Sequence, residues 1–103
     1  MCRMNNEITI VVPIRFKPEC RAAGRERLLA LAHKTRLEAG NVMYRIHEVP
    51  DQPDLFMVYE KWLDQAALDF HMNQRYLKDF LNDGDHLLAG EIKGTICSEI
   101  AVD

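Results

Sequence analysis

From Ile8 to Phe16 every second residue is large and apolar: Ile8, Ile10, Val12, Ile14 and Phe16. A period of two makes a strand with one face committed to a core, and that face must be covered by a second layer of structure. Pro13 removes one ladder donor, so its position must face away from a neighbouring strand or sit at a bulge. Lys17-Pro18-Glu19 ends the strand, and Pro18 suits the first turn of a helix, where a missing N–H costs nothing.

The period then changes. Leu28, Leu31, Ala32 and Thr35 recur at helical spacing and form one buried stripe of a helix running to about Ala39. Arg25, Glu26, Lys34, Arg36 and Glu38 fall largely outside that stripe. Gly24 weakens the first turns, and Gly40 is expected as a left-handed residue just past the helix end. Asn41 to Val49 returns to a period of two, with Val42, Tyr44 and Ile46 on one face and Met43, Arg45 and His47 on the other. Pro50-Asp51-Gln52-Pro53-Asp54 is a turn by residue type. Leu55 to Trp62 is the third strand, completing an antiparallel hairpin. Asp64 is the expected N-cap of a second helix that carries Ala67, Leu68, His71 and Met72 on one side. That helix continues, with a break near Asn73, to Leu81, and Asn82-Asp83-Gly84 ends it. Glu91 to Val102 is expected as the last strand, with Ile92, Ile96 and Ile100 as its apolar positions.

The order is β-α-β-β-α-β, the ferredoxin-like α+β arrangement of two helices over one face of a four-stranded antiparallel sheet. A chain of 103 residues is one domain's worth, so residues 1–103 are read as a single domain. The uncovered sheet face would carry Val11, Met57 and Tyr59. It is too apolar to leave in water and is expected to meet the same face of a second copy, making a homodimer.

Composition narrows the function. The net charge is −3 and no basic cluster occurs, which argues against nucleic acid and against an anionic membrane surface as partners. The three cysteines, Cys2, Cys20 and Cys97, are odd in number and far apart, which suits a reducing cytoplasm rather than a disulfide framework. The apolar run Ile8 to Ile14 is too short to span a bilayer and follows Asn5, Asn6 and Glu7, so it reads as neither a membrane span nor a signal peptide. Met4 is an alternative start.

Glu60 lies on the face of Phe56, Val58 and Trp62, where desolvation would raise a carboxyl pKa towards neutrality. An ion pair with a basic neighbour is the plainer alternative. Trp62 is a core or cavity wall whose flat ring suits an aromatic ligand. His71 follows Leu68 by three and Ala67 by four, so it points inward and is the natural general base, set against a satisfied core histidine. Tyr76 and Tyr44 are hydroxyls lining the same cavity or amphipathic core residues. None of His33, His47, His71 and His86 has helix-ligand spacing with another or a cysteine partner, so no metal site is expected. No phosphate-binding glycine loop or nucleophile elbow is present.

Tyr59-Glu60-Lys61-Trp62, then Ala67-Leu68, His71 and Phe80, resembles the signature of the antibiotic biosynthesis monooxygenase family, a group of dimeric α/β barrels. Arg15 to Pro18 is similar to the family's opening, and Glu38-Ala39-Gly40-Asn41 to its turn into the second strand. The likeness spans roughly Ile8 to Leu88. Two features depart from it. Tyr76 stands where many relatives carry a second histidine, and Gln74-Arg75 replaces a common Ser-Pro pair. The strand from Ile8 to Phe16 lacks the asparagine of the haem-degrading branch. The resemblance implies a monooxygenase acting with O2 on a small electron-rich aromatic, such as a quinol or anthrone, without metal, flavin or other cofactor. It implies His71 as base or proton shuttle, Glu60 as its orienting or charge-balancing partner, Trp62 as aromatic wall, and Tyr76, Tyr44 and Phe80 as substrate contacts. Two other functions fit the same fold. An isomerase of a small keto-sugar phosphate would need cations at the pocket, for which Arg45, Lys61 and Arg75 are the local candidates. A non-catalytic ligand-binding or stress protein would hold its histidine in a structural hydrogen bond.

Overall fold

The computed structural model describes residues 6–103, so Cys2 and the alternative start at Met4 lie outside the described residues. The order of elements is β1 (Ile8–Arg15), a 3-10 turn (Pro18–Cys20), α1 (Arg21–Arg36), β2 (Asn41–Val49), β3 (Gln52–Trp62), α2 (Gln65–Met72), α3 (Arg75–Asn82) and β4 (Thr95–Cys97). The strands form one antiparallel sheet in the order β2-β3-β1-β4, the expected ferredoxin-like α+β arrangement.

The alternation along β1 and β3 sets the register. Ile10 opposes Glu60, Val12 opposes Val58, and Ile14 opposes Phe56. These residues, with Tyr44 from β2, form the face covered by Leu28, Leu31 and Ala32 of α1, Leu68 of α2, and Leu77 and Phe80 of α3. Pro13 faces the other way and is exposed. At the end where β1 leaves the sheet, Phe16 is fully buried and meets Phe56 and Phe80 edge-on, with ring centroids 5.7 and 6.5 Å away. Gly24 makes this packing possible, because a Cβ there would lie 2.4 Å from the Phe16 ring. Its place in the first helix is therefore a packing requirement, not only a helical weakness.

The turn between α1 and β2 departs from expectation. The helix stops at Arg36, and Leu37 is 86% exposed. Glu38 then donates its backbone N–H to Thr35 and accepts one from Asn41. Gly40 is not left-handed, since no described glycine has a positive φ. It is small for a different reason: a Cβ at Gly40 would sit 2.3 Å from the Ala67 Cβ on α2. Val42 falls at a bulge between Asn41 and Met43 and is exposed, so it leaves the face it was expected to share with Tyr44 and Ile46.

Asp64 caps α2, its Oδ1 accepting the Ala67 N–H at 2.8 Å. The expected break falls at Asn73 and Gln74, so the second helix is two helices of eight residues. The left-handed residue that ends α3 is Asp83, with φ 52°, and its carboxylate accepts the backbone N–H groups of Leu87 and Leu88. The last strand is shorter than expected. β4 pairs with β1 over three residues, Ile92 packs partly on the core, and Ile96, Ile100 and Val102 are exposed. With these three side chains left exposed, the end of the chain gains no buried face to hold a longer strand against β1. Among the described residues no helix is long and apolar enough to cross a membrane.

Candidate active site

The helices do not close completely on the sheet. A cavity of about 320 Å³ remains between the inner sheet face and α2 and α3. Its walls are mostly apolar, from Ile10, Leu68, Leu77, Phe80 and Ile92, with Tyr44, Glu60 and His71 as the buried polar groups. Gln65 and Asp69 of α2 add polar groups at its edge, and no lysine or arginine lines it.

Helical spacing places His71. It lies one turn after Leu68, both face inward, and His71 is 3% exposed. Its ring lies 4.4 Å from that of Trp62, centroid to centroid, at an interplanar angle of 31°. Strand alternation puts Glu60 and Trp62 on the same face, two residues apart, and the Trp62 indole N–H donates to Glu60 Oε1 at 3.0 Å. Burial pushes the Glu60 carboxyl above its ordinary range; the Trp62 bond and the nearby His71 offset part of that rise, and Glu38 adds to it. Tyr44 opposes Glu60 across the β2–β3 ladder. Burial, then the Glu60 charge, pushes the Tyr44 phenol upward, and Arg36 opposes the shift. Arg36 is held in place by donating from Nε and Nη2 to the Tyr44 carbonyl at 2.9 and 2.5 Å.

The group bonded to His71 is not the one expected. His71 Nδ1 lies 2.7 Å from Glu38 Oε2, and the Tyr76 hydroxyl donates to the same oxygen. Glu60 serves Trp62 instead. Glu38 was expected on the solvated side of a longer helix, yet its side chain is only 7% exposed. Because α1 ends at Arg36, helical periodicity does not apply at position 38. The available signal was its place in the turn Glu38-Ala39-Gly40-Asn41, directly before the glycine that packs against α2.

Two other expected roles change. Trp62 is fully buried behind His71 and does not line the cavity, so it backs the imidazole rather than facing a ligand. Tyr76 also stays out of the cavity. It lines an outer cleft between α1 and α3, together with Arg27, Lys34 and Arg75, while its hydroxyl reaches inward to Glu38. Tyr44, Glu60, His71 and Phe80 do come together around one space. Among the described residues, no group of three or more His, Cys, Asp and Glu side chains is arranged to hold a metal ion.

The sheet order and one-sided helical layer define a ferredoxin-like α+β protein, with a cluster of titratable groups buried at an apolar cavity. Within that class, the chain belongs to the antibiotic biosynthesis monooxygenase family, which matches residues 7–83. It is similar to "Putative monooxygenase YcnE" of Bacillus subtilis (strain 168), with 31% identity over 85 residues, covering 82% of this chain and 90% of that protein. The crystal structure of PA3566 from Pseudomonas aeruginosa superposes with a TM-score of 0.86 at 29% identity, covering 97% of this chain and all 100% of the other. Rv0793 from Mycobacterium tuberculosis shares the fold, with a TM-score of 0.84 at 22% identity and coverage of 93% and 97%.

Proposed function

We propose that this chain is a monooxygenase that oxidises a small electron-rich aromatic, quinol- or anthrone-like, with O2 and with no metal or flavin. The observation that carries this reading is the apolar cavity walled by a buried histidine and free of cations. Family membership and the similarity to YcnE support it.

His71 takes a phenolic proton, and the resulting oxyanion makes the ring rich enough in electrons to react with O2 directly. At an activated CH2 of an anthrone, O2 adds to give the hydroperoxide. Loss of water then leaves the ketone. The substrate gives up four electrons, O2 accepts four, and the two hydrogens leave as water. The dry walls raise the energy of a bare oxyanion unless a hydrogen-bond donor meets it; the Tyr44 hydroxyl can donate to it, and Glu60 can do so only in its protonated form. Phe80 offers the ring a flat apolar contact.

A keto-sugar phosphate is a poorer fit. Arg45 is exposed on the other sheet face, Lys61 is bonded to Glu99, and Arg75 lines the outer cleft, so none of the three reaches the cavity. The bond from His71 to Glu38 does suit a non-catalytic binding protein, and turnover is what separates that reading from ours. We further propose one domain acting in a reducing cytoplasm as a homodimer, joined through the open sheet face where Val11, Met57 and Tyr59 are half-buried. Size-exclusion chromatography at low concentration tests the dimer. An oxygen-electrode screen of metal-stripped protein against hydroquinones and anthrones tests the activity. We expect O2 uptake with at least one of them, whereas tight binding with no uptake would leave the binding-protein reading standing.

A further inference from the structure

We infer that Glu38 is a positioning residue that holds His71 as the Nδ1–H tautomer and leaves Nε2 bare for the cavity. The inference rests on the reading of His71 as the base. An ionised carboxylate can only accept hydrogen bonds, so a 2.7 Å contact makes Nδ1 the donor. A neutral imidazole carries one proton, which leaves a lone pair on Nε2. No hydrogen bond engages Nε2 among the described residues. Without such a partner an imidazole in water favours the opposite tautomer, whose Nε2 already holds a proton and cannot take one from a substrate.

The geometry is fixed from several sides. Ala67 and His71 lie one turn apart on the same face of α2, and Gly40 packs against Ala67. That contact brings the turn carrying Glu38 within reach of the imidazole. The backbone bonds from Glu38 to Thr35 and from Asn41 to Glu38 hold the turn itself. Tyr76, arriving from α3, donates to the same carboxylate oxygen and fixes its rotamer, and Trp62 supports the ring from β3. Glu38 Oε1 is buried with no partner, so the whole hydrogen-bonding capacity in use is spent on His71 and Tyr76. The remaining titratable groups around the imidazole are Glu60 on β3, Tyr44 on β2 and Asp69 on α2, and none of them is bonded to His71.

Nitrogen-15 NMR of the full-length protein above about pH 8.5, where imidazoles are neutral, reads the tautomer directly. We expect a protonated Nδ1 and a bare Nε2 on His71; a protonated Nε2 would overturn the assignment whatever the enzyme does. The second measurement is turnover of a hydroquinone by Glu38→Gln, which keeps the shape and an acceptor oxygen but loses the charge that stabilises an imidazolium. We expect kcat to fall about 10²-fold or more with KM changed less than about twofold, and Glu38→Asp to recover part of the loss. An unchanged kcat in folded Glu38→Gln would contradict the role. If His71→Ala also turned over like the parent, the base reading would fail, while the NMR result would still decide the tautomer.

Discussion

The two ends of the helix-covered sheet face are built on different principles. Where β1 leaves the sheet, Phe16, Phe56 and Phe80 pack edge-on, and the small Gly24 lets α1 close over them. At the other end, where Ile8 opposes Trp62 and Ile10 opposes Glu60, the same alternation delivers a carboxyl and an indole into the interior, and the helical spacing of α2 adds a histidine. The first end gains stability from close packing of apolar atoms. The second buries groups that cost stability, satisfies most of them with hydrogen bonds, and leaves a cavity beside them. A small domain has little stability to spare, so polar groups buried away from the aromatic cluster are the natural place to look for chemistry.

Four substitutions sharpen that contrast, and the largest effect belongs to the aromatic end. Phe16→Ala should destabilise the fold by about 3–5 kcal/mol, read by urea denaturation. A loss below about 1 kcal/mol would mean that this cluster does not anchor the sheet. Next are the two glycines. Gly24→Ala and Gly40→Ala each force a methyl into occupied space and should cost about 1–3 kcal/mol. They should differ in kind, however. Gly24→Ala should lower Tm and leave turnover per folded molecule unchanged. Gly40→Ala should push the Glu38 turn away from α2 and lower turnover more than its stability loss explains. Equal effects on turnover would erase the distinction between the two ends.

The smallest effect concerns pH. Burial raises the folded-state pKa of Glu60 above its ordinary value of 4.5. Between those two values the folded protein binds more protons than the unfolded chain, so stability falls as pH rises through that window. Glu60→Gln removes the group and should flatten this part of the stability profile, leaving the variant relatively more stable near neutrality. A parent whose stability rises across the same window, with no change in Glu60→Gln, would show that the carboxyl is not desolvated.

Much of the aromatic end was legible in the sequence, because it rests on period-two strands and one helical stripe. His71 was legible for the same reason, lying three residues after Leu68 in a capped helix. Glu38 was not, because α1 stops two residues before it and a turn residue has no periodicity to read. The resemblance pairs His71 with Glu60 instead, a carboxylate that strand alternation does turn inward. Tyr76 is legible as a hydroxyl near the histidine but not as one that reaches Glu38 from the outer cleft, since side-chain direction depends on the break at Asn73 and Gln74. The last strand is shorter than its sequence suggests because Ile92, Ile96 and Ile100, which would share one face of a strand, mark such a face only where a second layer covers them.

The central claim is that the polar end works through His71. Its most direct test is the rate of O2 uptake with a hydroquinone or anthrone, compared between the parent and a folded His71→Ala. The account predicts a loss of about 10²-fold or more in kcat, as expected on removing a general base. Uptake by His71→Ala at the parent rate would contradict it.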